Sequence, residues 1–303
     1  MKRIIKKLLT GYLCLCLLGT VGFFAVGNGI YSYALLRKTE AGYTEAQENR
    51  WIVQNSEDRY VTSEDGLTLH AHFKENPKAK GKYAIMCHGG SGNAITITPW
   101  TRMLFRMGFS VLCPNARAHG KSEGSVKGMG YLERRDIILW INEIVKNDPD
   151  AQILLFGLSV GGSTVLFTSG EADLPQNVKA VVSDCAFTTV YEEFGNILRR
   201  FVPFLPDFPV VDSISLACRI RGGYSFRQAS CVEAVKKSTT PTLFIHGDAD
   251  TRIPLYMLDE LYENADCPKE KLIVEGAGHA DARETNPELY WRTVENFLKD
   301  KFI

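Results

Sequence analysis

The sequence carries no surplus of either charge: 35 lysines and arginines balance 35 aspartates and glutamates, for a formal net charge of zero. A protein built to hold a polyanion concentrates basic residues, so nothing in this balance points to nucleic acid as a partner. The chain has no internal repeat and no low-complexity tract, which argues against a solenoid or a disordered array. No CxxC pair and no cysteine/histidine cluster stands at metal-ligand spacing, so no metal is expected. What remains, with 45% hydrophobic and 23% charged residues, is the composition of a globular protein, and 303 residues accommodate one large α/β domain.

Formal charge is also missing from one place in particular. Lys2, Arg3, Lys6 and Lys7 precede Leu8 to Leu36, 29 residues without an acidic or basic side chain. About 20 apolar residues at about 1.5 Å each cross the hydrocarbon layer, so residues 8–36 are expected to form a membrane helix and residues 1–38 an N-terminal anchor. Tyr31, Tyr33 and Tyr43 would suit an aromatic belt at the far interface. The early basic residues favour an N-terminus held inside, which places the remainder of this single-pass chain outside the cytoplasm, although Arg37 and Lys38 pull the other way. A cleaved signal segment is the alternative, with Ala25, Val26 and Gly27 as small residues near a cleavage site and a secreted product.

Eight cysteines are distributed without an evident framework. Cys14 and Cys16 fall in the apolar segment and Cys87 and Cys113 at ends of core strands, so these four read as buried thiols. Cys218, Cys231 and Cys267 lie in the second half, where pairing in an exported domain is open.

After a polar connector at residues 39–58, Arg59 to Ser63 and Leu67 to Lys74 read as a hairpin turning through Glu64, Asp65 and Gly66. Short apolar runs then alternate with helical patterns: Tyr83 to Cys87 and Pro99 to Met107, Ser110 to Cys113 and Tyr131 to Val145, Ile153 to Phe156 and Gly161 to Thr168. Val178 to Ser183, Thr242 to His246 and Lys271 to Val274 supply further strands, and Pro287 to Lys299 a closing helix. Alternation of this kind gives an α/β fold with a mostly parallel central sheet flanked by helices. Nearly sixty residues between Asp184 and Thr242 are too long for a plain connection. Residues 188–238 are therefore expected to form a small cap inserted into a catalytic domain of residues 59–303. The apolar, proline-interrupted stretch from Phe201 to Val211 places Phe201, Phe204 and Leu205 as candidate substrate contacts.

The chemistry is concentrated after strand ends. Gly157, Leu158, Ser159, Val160 and Gly161 form G-x-S-x-G directly after one strand and before a helix. Such a turn lifts a serine oxygen above the sheet edge, and flanking glycines remove Cβ atoms that would collide. Upstream, His88, Gly89, Gly90, Ser91 and Gly92 follow another strand without the Lys-Ser/Thr or G-x-G-x-x-G spacing of a phosphate loop. The N–H groups of Gly90 and Val160 are the candidate oxyanion donors. Downstream, His246 to Pro254 carries Asp248 and Asp250, and Gly276 to Ala280 carries His279. Serine becomes a useful nucleophile when a neutral imidazole takes its proton and a carboxylate holds that imidazole. The order Ser159, Asp250, His279 fits this arrangement, with Asp248 and Asp184 as rivals for the acid. His70, His72, His88, His119 and His246 read as structural.

Taken together, these motifs resemble the α/β-hydrolase superfamily over residues 59–303, and in particular its membrane-anchored bacterial members of the serine aminopeptidase and acyl-hydrolase branches. Asn115 to Gly124 is similar to the family's Asp-x-Arg-Gly-His-Gly-x-Ser segment, from which Asn115 and Ala118 depart. His246, Gly247, Asp250, Ile253 and Pro254 match the family's acid loop, in which the second aspartate belongs to the triad. The resemblance implies hydrolysis of a carboxylic ester through an acyl-enzyme, without cofactor, on a small-molecule or lipid-like acyl ester. A peptidase or amidase of the same mechanism, an acyltransferase, and a membrane-tethered protein that binds without catalysis are the alternatives.

Overall fold

A computed structural model describes residues 2–36, 38–39, 51–54 and 56–302. Tyr43 and most of the connector at 39–58 lie outside the described residues. The chain opens with α1 (Lys2–Leu35), one unbroken helix about 50 Å long at about 1.5 Å per residue. Its stretch from Thr10 to Leu35 is long and apolar enough to cross a membrane. Leu15, Leu17, Leu18 and Val21 are exposed, whereas Tyr31 and Leu35 are buried. Tyr31 thus packs inside the protein rather than serving as a belt residue.

β1 (Glu57–Thr62) and β2 (Thr68–Lys74) form the expected antiparallel hairpin, with Gly66 at φ +84° in its turn. β3 (Lys82–Cys87), α2 (Thr98–Arg106), β4 (Ser110–Pro114), α3 (Glu133–Asn147), β5 (Gln152–Leu158), α4 (Val160–Ser169) and β6 (Val178–Asp184) follow in alternation. Three helices, α5 (Val190–Phe201), α6 (Asp207–Gly222) and α7 (Cys231–Val235), occupy the long insertion. β7 (Thr242–Gly247), α8 (Tyr256–Asn264), β8 (Lys269–Val274), α9 (Ala282–Thr285) and α10 (Pro287–Leu298) complete the chain. The eight strands lie in the order β1-β2-β4-β3-β5-β6-β7-β8, antiparallel from β1 through β2 to β4 and parallel thereafter.

Alternation along each central strand sends side chains to two cores. Ala84, Met86, Leu154 and Phe156 meet Trp100, Leu104, Tyr290 and Phe297 of α2 and α10 on one face. Ile85, Ile153 and Leu155 meet Ile137, Trp140 and Leu166 of α3 and α4 on the other. Arg117 ties the hairpin to this second layer, its guanidinium gripping both oxygens of buried Asp136 at 2.9 and 2.7 Å and reaching Asp65 in the β1–β2 turn at 2.9 Å.

Register fixes where the functional loops emerge. Cys87 pairs opposite Gly157, Leu158 opposite Asp184, and Gly247 opposite Val274. Parallel neighbours therefore end together, and the loops after β3, β5, β7 and β8 open on one sheet edge.

Prolines at 203 and 206 separate α5 from α6, and Pro209 kinks the first turn of α6, where Phe208 adopts the extended ψ of +132° that a residue before proline favours. No described cysteine is paired, so Cys218, Cys231 and Cys267 are free buried thiols. Cys87 and Cys113 are buried as expected. Cys14 is exposed, because the part of α1 that carries it has no protein packed against it. The side chain of Cys16 lies outside the described residues.

Candidate active site

Ser159 stands between β5 and α4 at φ 57°, ψ −120°, a left-handed conformation that a residue with a Cβ adopts only when its surroundings hold it there. The Ser159 N–H donates to the Asp184 carbonyl at 2.8 Å, and the Ser163 N–H donates to the Ser159 carbonyl at 2.9 Å. Two glycines make the turn possible. A Cβ on Gly157 would lie 2.0 Å from the Gly161 carbonyl oxygen, and one on Gly161 would lie 2.1 Å from the Cys87 carbonyl oxygen. Both neighbours are backbone and cannot swing away.

The three residues of the expected triad come together. Ser159 Oγ lies 2.9 Å from His279 Nε2, and His279 Nδ1 lies 2.7 Å from Asp250 Oδ2. The other Asp250 oxygen accepts the N–H groups of Arg252 and Ile253 at 2.8 and 2.9 Å. Burial alone would raise the Asp250 carboxyl, but hydrogen bonds from His246, His279 and the Ile253 backbone outweigh it and hold the group well below the usual carboxylate range. An ionised Asp250 places the His279 proton on Nδ1 and leaves Nε2 free to take the serine proton.

The rival acids are occupied elsewhere. Asp248 Oδ1 accepts the Gly276 N–H at 2.6 Å and so braces the loop that carries His279. Asp184 Oδ2 accepts the Tyr290 hydroxyl at 2.8 Å, and burial pushes its carboxyl up to about 7.

The candidate oxyanion loop after β3 approaches the serine so closely that a Cβ on Gly89 would lie 3.5 Å from the Ser159 Cβ, and one on Gly90 would lie 2.9 Å from Val160 Cγ2. Two histidines hold this loop. His88 accepts the Ala116 N–H on Nε2 at 3.0 Å, which puts its proton on Nδ1, 2.8 Å from the Gly89 carbonyl. Burial lowers its pKa to about 3 and keeps the ring neutral. His119 Nε2 lies 3.0 Å from the Gly90 carbonyl. Behind Gly90 and Val160 is an apolar cavity of about 50 Å³, walled by Met129, Ile137, Trp140 and Thr164.

Phe201 and Phe204 are 79% and 87% exposed at the junction of α5 and α6, and Leu205 is half-buried. None of the three lines the cavity beside the oxyanion loop. His246, read from sequence as structural, sits 3.4 Å from Asp250 Oδ2 and 2.8 Å from the Ile253 carbonyl. Its place four residues before the acid was the available signal.

Outside this site, Asp58 Oδ1 lies 3.0 Å from His70 Nε2 and 3.1 Å from His72 Nδ1, a spacing at which three ligands could face a metal ion. Asn115 decides against that use. Its Oδ1 accepts the Ala94 N–H at 3.0 Å, so its amide nitrogen is the atom 2.7 Å from His70 Nδ1 and must donate to it. The His70 proton is thereby left on Nε2, where a metal would need a lone pair. Lys121 also bonds Asp58.

Comparison with known proteins rests on the same elements. A family model described as the alpha/beta hydrolase fold matches residues 85–209. Protein YqkD of Bacillus subtilis, itself uncharacterized, is 30% identical over 216 residues, covering 71% of this chain and 70% of its own. The chain belongs to the α/β-hydrolase family. The uncharacterized membrane protein YNL320W of Saccharomyces cerevisiae is 22% identical over 242 residues, 80% of this chain and 78% of the yeast protein. Among solved structures, the esterase Pf2001 of Pyrococcus furiosus superposes with a TM-score of 0.69 at 23% identity over 83% of this chain and 93% of that one. The α/β-hydrolase match at 85–209 contains the His88–Gly92 loop and Ser159. Asp250 and His279 lie beyond it, and it is the fold that brings them to the serine. Two of the chain's departures from the α/β-hydrolase pattern have visible consequences. Ala118 stands at φ 59°, where a glycine would be unstrained. Asn115 replaces an acidic acceptor by an amide that donates to His70.

Proposed function

We propose that this protein is a membrane-anchored serine hydrolase that cleaves carboxylic esters through an acyl-enzyme. The observation that carries the reading is the continuous hydrogen-bonded chain from Asp250 through His279 to Ser159, ending at an oxygen beside the oxyanion loop. In the proposed reaction His279 Nε2 takes the Ser159 proton as Oγ attacks the ester carbonyl. The N–H groups of Gly90 and Val160 receive the oxyanion, at a typical contribution of about 3 to 4 kcal/mol per donor. The imidazolium, stabilised by Asp250, then returns the proton to the departing alcohol. Water repeats the sequence on the acyl-enzyme and releases the acid. The cavity behind Gly90 and Val160 is apolar and holds only a few heavy atoms, so we assign it to a short acyl portion.

The solved relatives include both the esterase Pf2001 and an acylaminoacyl peptidase of Pyrococcus horikoshii, and we take an ester as the first substrate class because an alcohol leaves more readily than an amine. The single membrane span lies within residues 8–36, in keeping with the basic start of the chain and with the yeast relative named as a membrane protein. The basic N-terminus favours an extracytoplasmic catalytic domain. Burial of Gly27 against α6 speaks for retention of the helix over cleavage near that residue, since a processing site has to be open to its protease. Labelling of the full chain in detergent by a fluorophosphonate, lost in Ser159→Ala, together with hydrolysis of p-nitrophenyl acetate or butyrate, tests the enzymatic reading. A folded wild type that neither labels nor hydrolyses any ester overturns it.

A further inference from the structure

α1 and α6 pack side by side in the same direction. Gly27 lies against Ser213, where a Cβ would come 2.3 Å from the Ser213 carbonyl. Further along both helices, Arg221 donates to Asn28 Oδ1 and Ser32 Oγ, each at 2.7 Å, and its guanidinium lies 5.3 Å from the Tyr31 ring. A Cβ on Gly222 would lie 2.9 Å from the Tyr31 hydroxyl oxygen. Later residues of α1 thus meet later residues of α6, and the start of α6 points back along the span.

The depth of that start follows from helix geometry. The uncharged run begins at Leu8, and about 20 residues of helix cover a hydrocarbon layer about 30 Å thick, which brings its far boundary to about Gly27. The Gly27–Ser213 contact therefore stands at the membrane edge. The helix that holds Ser213 runs back four residues to Pro209, about 6 Å closer to the lipid at about 1.5 Å per residue, and Phe208 stands at the kink just before it. Phe201 and Phe204 lead into this same end of α6. All three are exposed, at 79%, 87% and 70%, a group of aromatic side chains that is costly to leave in water. Arg200, exposed at the end of α5 beside them, suits anionic lipid headgroups, whereas its neighbour Arg199 is paired with Asp207 at 2.6 Å.

We propose that Phe201, Phe204 and Phe208 insert into the bilayer interface next to α1, so that the α5–α6 insertion binds lipid as a second anchor. The proposal rests on the membrane reading of α1. A depth of about 6 Å is that of interfacial elements that bury one apolar face between headgroups and acyl chains. The geometry also explains why phenylalanines suited from sequence to a substrate pocket stand outside the cavity beside the serine.

The test uses the full chain in vesicles of phosphatidylcholine and phosphatidylglycerol, comparing wild type, Phe204→Trp, and Tyr60→Trp on the distant edge strand β1. The emission added by Phe204→Trp is expected to be blue-shifted and quenched by lipids brominated near the glycerol end of their chains, while that of Tyr60→Trp is water-like and quenched by iodide. Emission at position 204 that is water-like and iodide-quenched overturns the proposal, as does equal lipid quenching at both positions. Alkaline carbonate washing of the same vesicles separates the two readings. Release of the protein defeats the anchor itself, whereas retention with a water-exposed position 204 defeats only the interfacial tip.

Discussion

Asp250 Oδ2 lies 2.7 Å from His279 Nδ1, while Asp248, two residues earlier in the same loop, is turned to the Gly276 N–H. Both acids sit in one short loop, yet only one can fix the imidazole tautomer. Asp250→Asn is expected to lower kcat by about 10⁴, since an amide presents the wrong partner to Nδ1–H. Asp248→Asn retains an acceptor for Gly276 and is expected to stay within tenfold of wild type. Steady-state hydrolysis of p-nitrophenyl acetate by the two variants checks this, and equal losses in both would refute the assignment.

Asp184 is buried with its carboxyl raised to about 7 by desolvation, against the opposing hydrogen bond from Tyr290. A folded-state pKa above the unfolded value means that the native protein holds this proton more tightly. The associated stability is fully present below about pH 4 and is lost as pH rises through about 7. Asp184→Asn keeps an oxygen for the Tyr290 hydroxyl and has nothing to ionise. Its melting temperature relative to wild type is expected to rise between pH 4 and pH 8, with fluorophosphonate labelling intact. A constant difference across that range would show that Asp184 does not titrate there.

Much of this fold was legible in the sequence because its strands are short, apolar and bounded by glycine, aspartate or proline, as at Tyr83 to Cys87 and Thr242 to His246. The site was legible for the same reason: G-x-S-x-G at 157–161 and the acid loop at 246–254 are local patterns that a strand end positions. The insertion was not, since prolines at 203, 206 and 209 announced breaks but not which side chains face outward. Direction there is set by the packing of α6 on α1, a contact between residues nearly two hundred positions apart. The role of Asn115 was hidden likewise, because its effect on His70 depends on an Ala94 N–H that holds the amide in one orientation.

Gly161 has no room for a side chain, its Cβ position lying 2.1 Å from the Cys87 carbonyl oxygen and 2.7 Å from that of His88. Those oxygens belong to the end of β3 and the start of the oxyanion loop, so neither can retreat without moving the sheet edge. Gly161→Ala is expected to cost at least about 3 kcal/mol and to abolish labelling of Ser159. Gly29→Ala, where nothing lies within 4 Å, serves as the control and should melt within a degree or two of wild type. Thermal unfolding in detergent distinguishes them.

Gly90 presents a softer conflict, and for that reason a reversible one. Its Cβ position meets Val160 Cγ2 at 2.9 Å, a contact with the far end of a side chain rather than with backbone. Gly90→Ala is therefore expected to fold, but to shift the oxyanion loop by a few tenths of an ångström and lower kcat by about ten- to a hundredfold, as one donor loses alignment. Val160→Ala removes the obstructing methyl while leaving the backbone N–H in place. The double variant Gly90→Ala/Val160→Ala should recover kcat to within a few-fold of Val160→Ala alone, a coupling that additive effects cannot produce. Recovery would tie the loss to the separation of these two residues. Additive losses would mean that the loop acts by another route, and Gly89, whose Cβ position lies 3.5 Å from the Ser159 Cβ, would become the donor to examine.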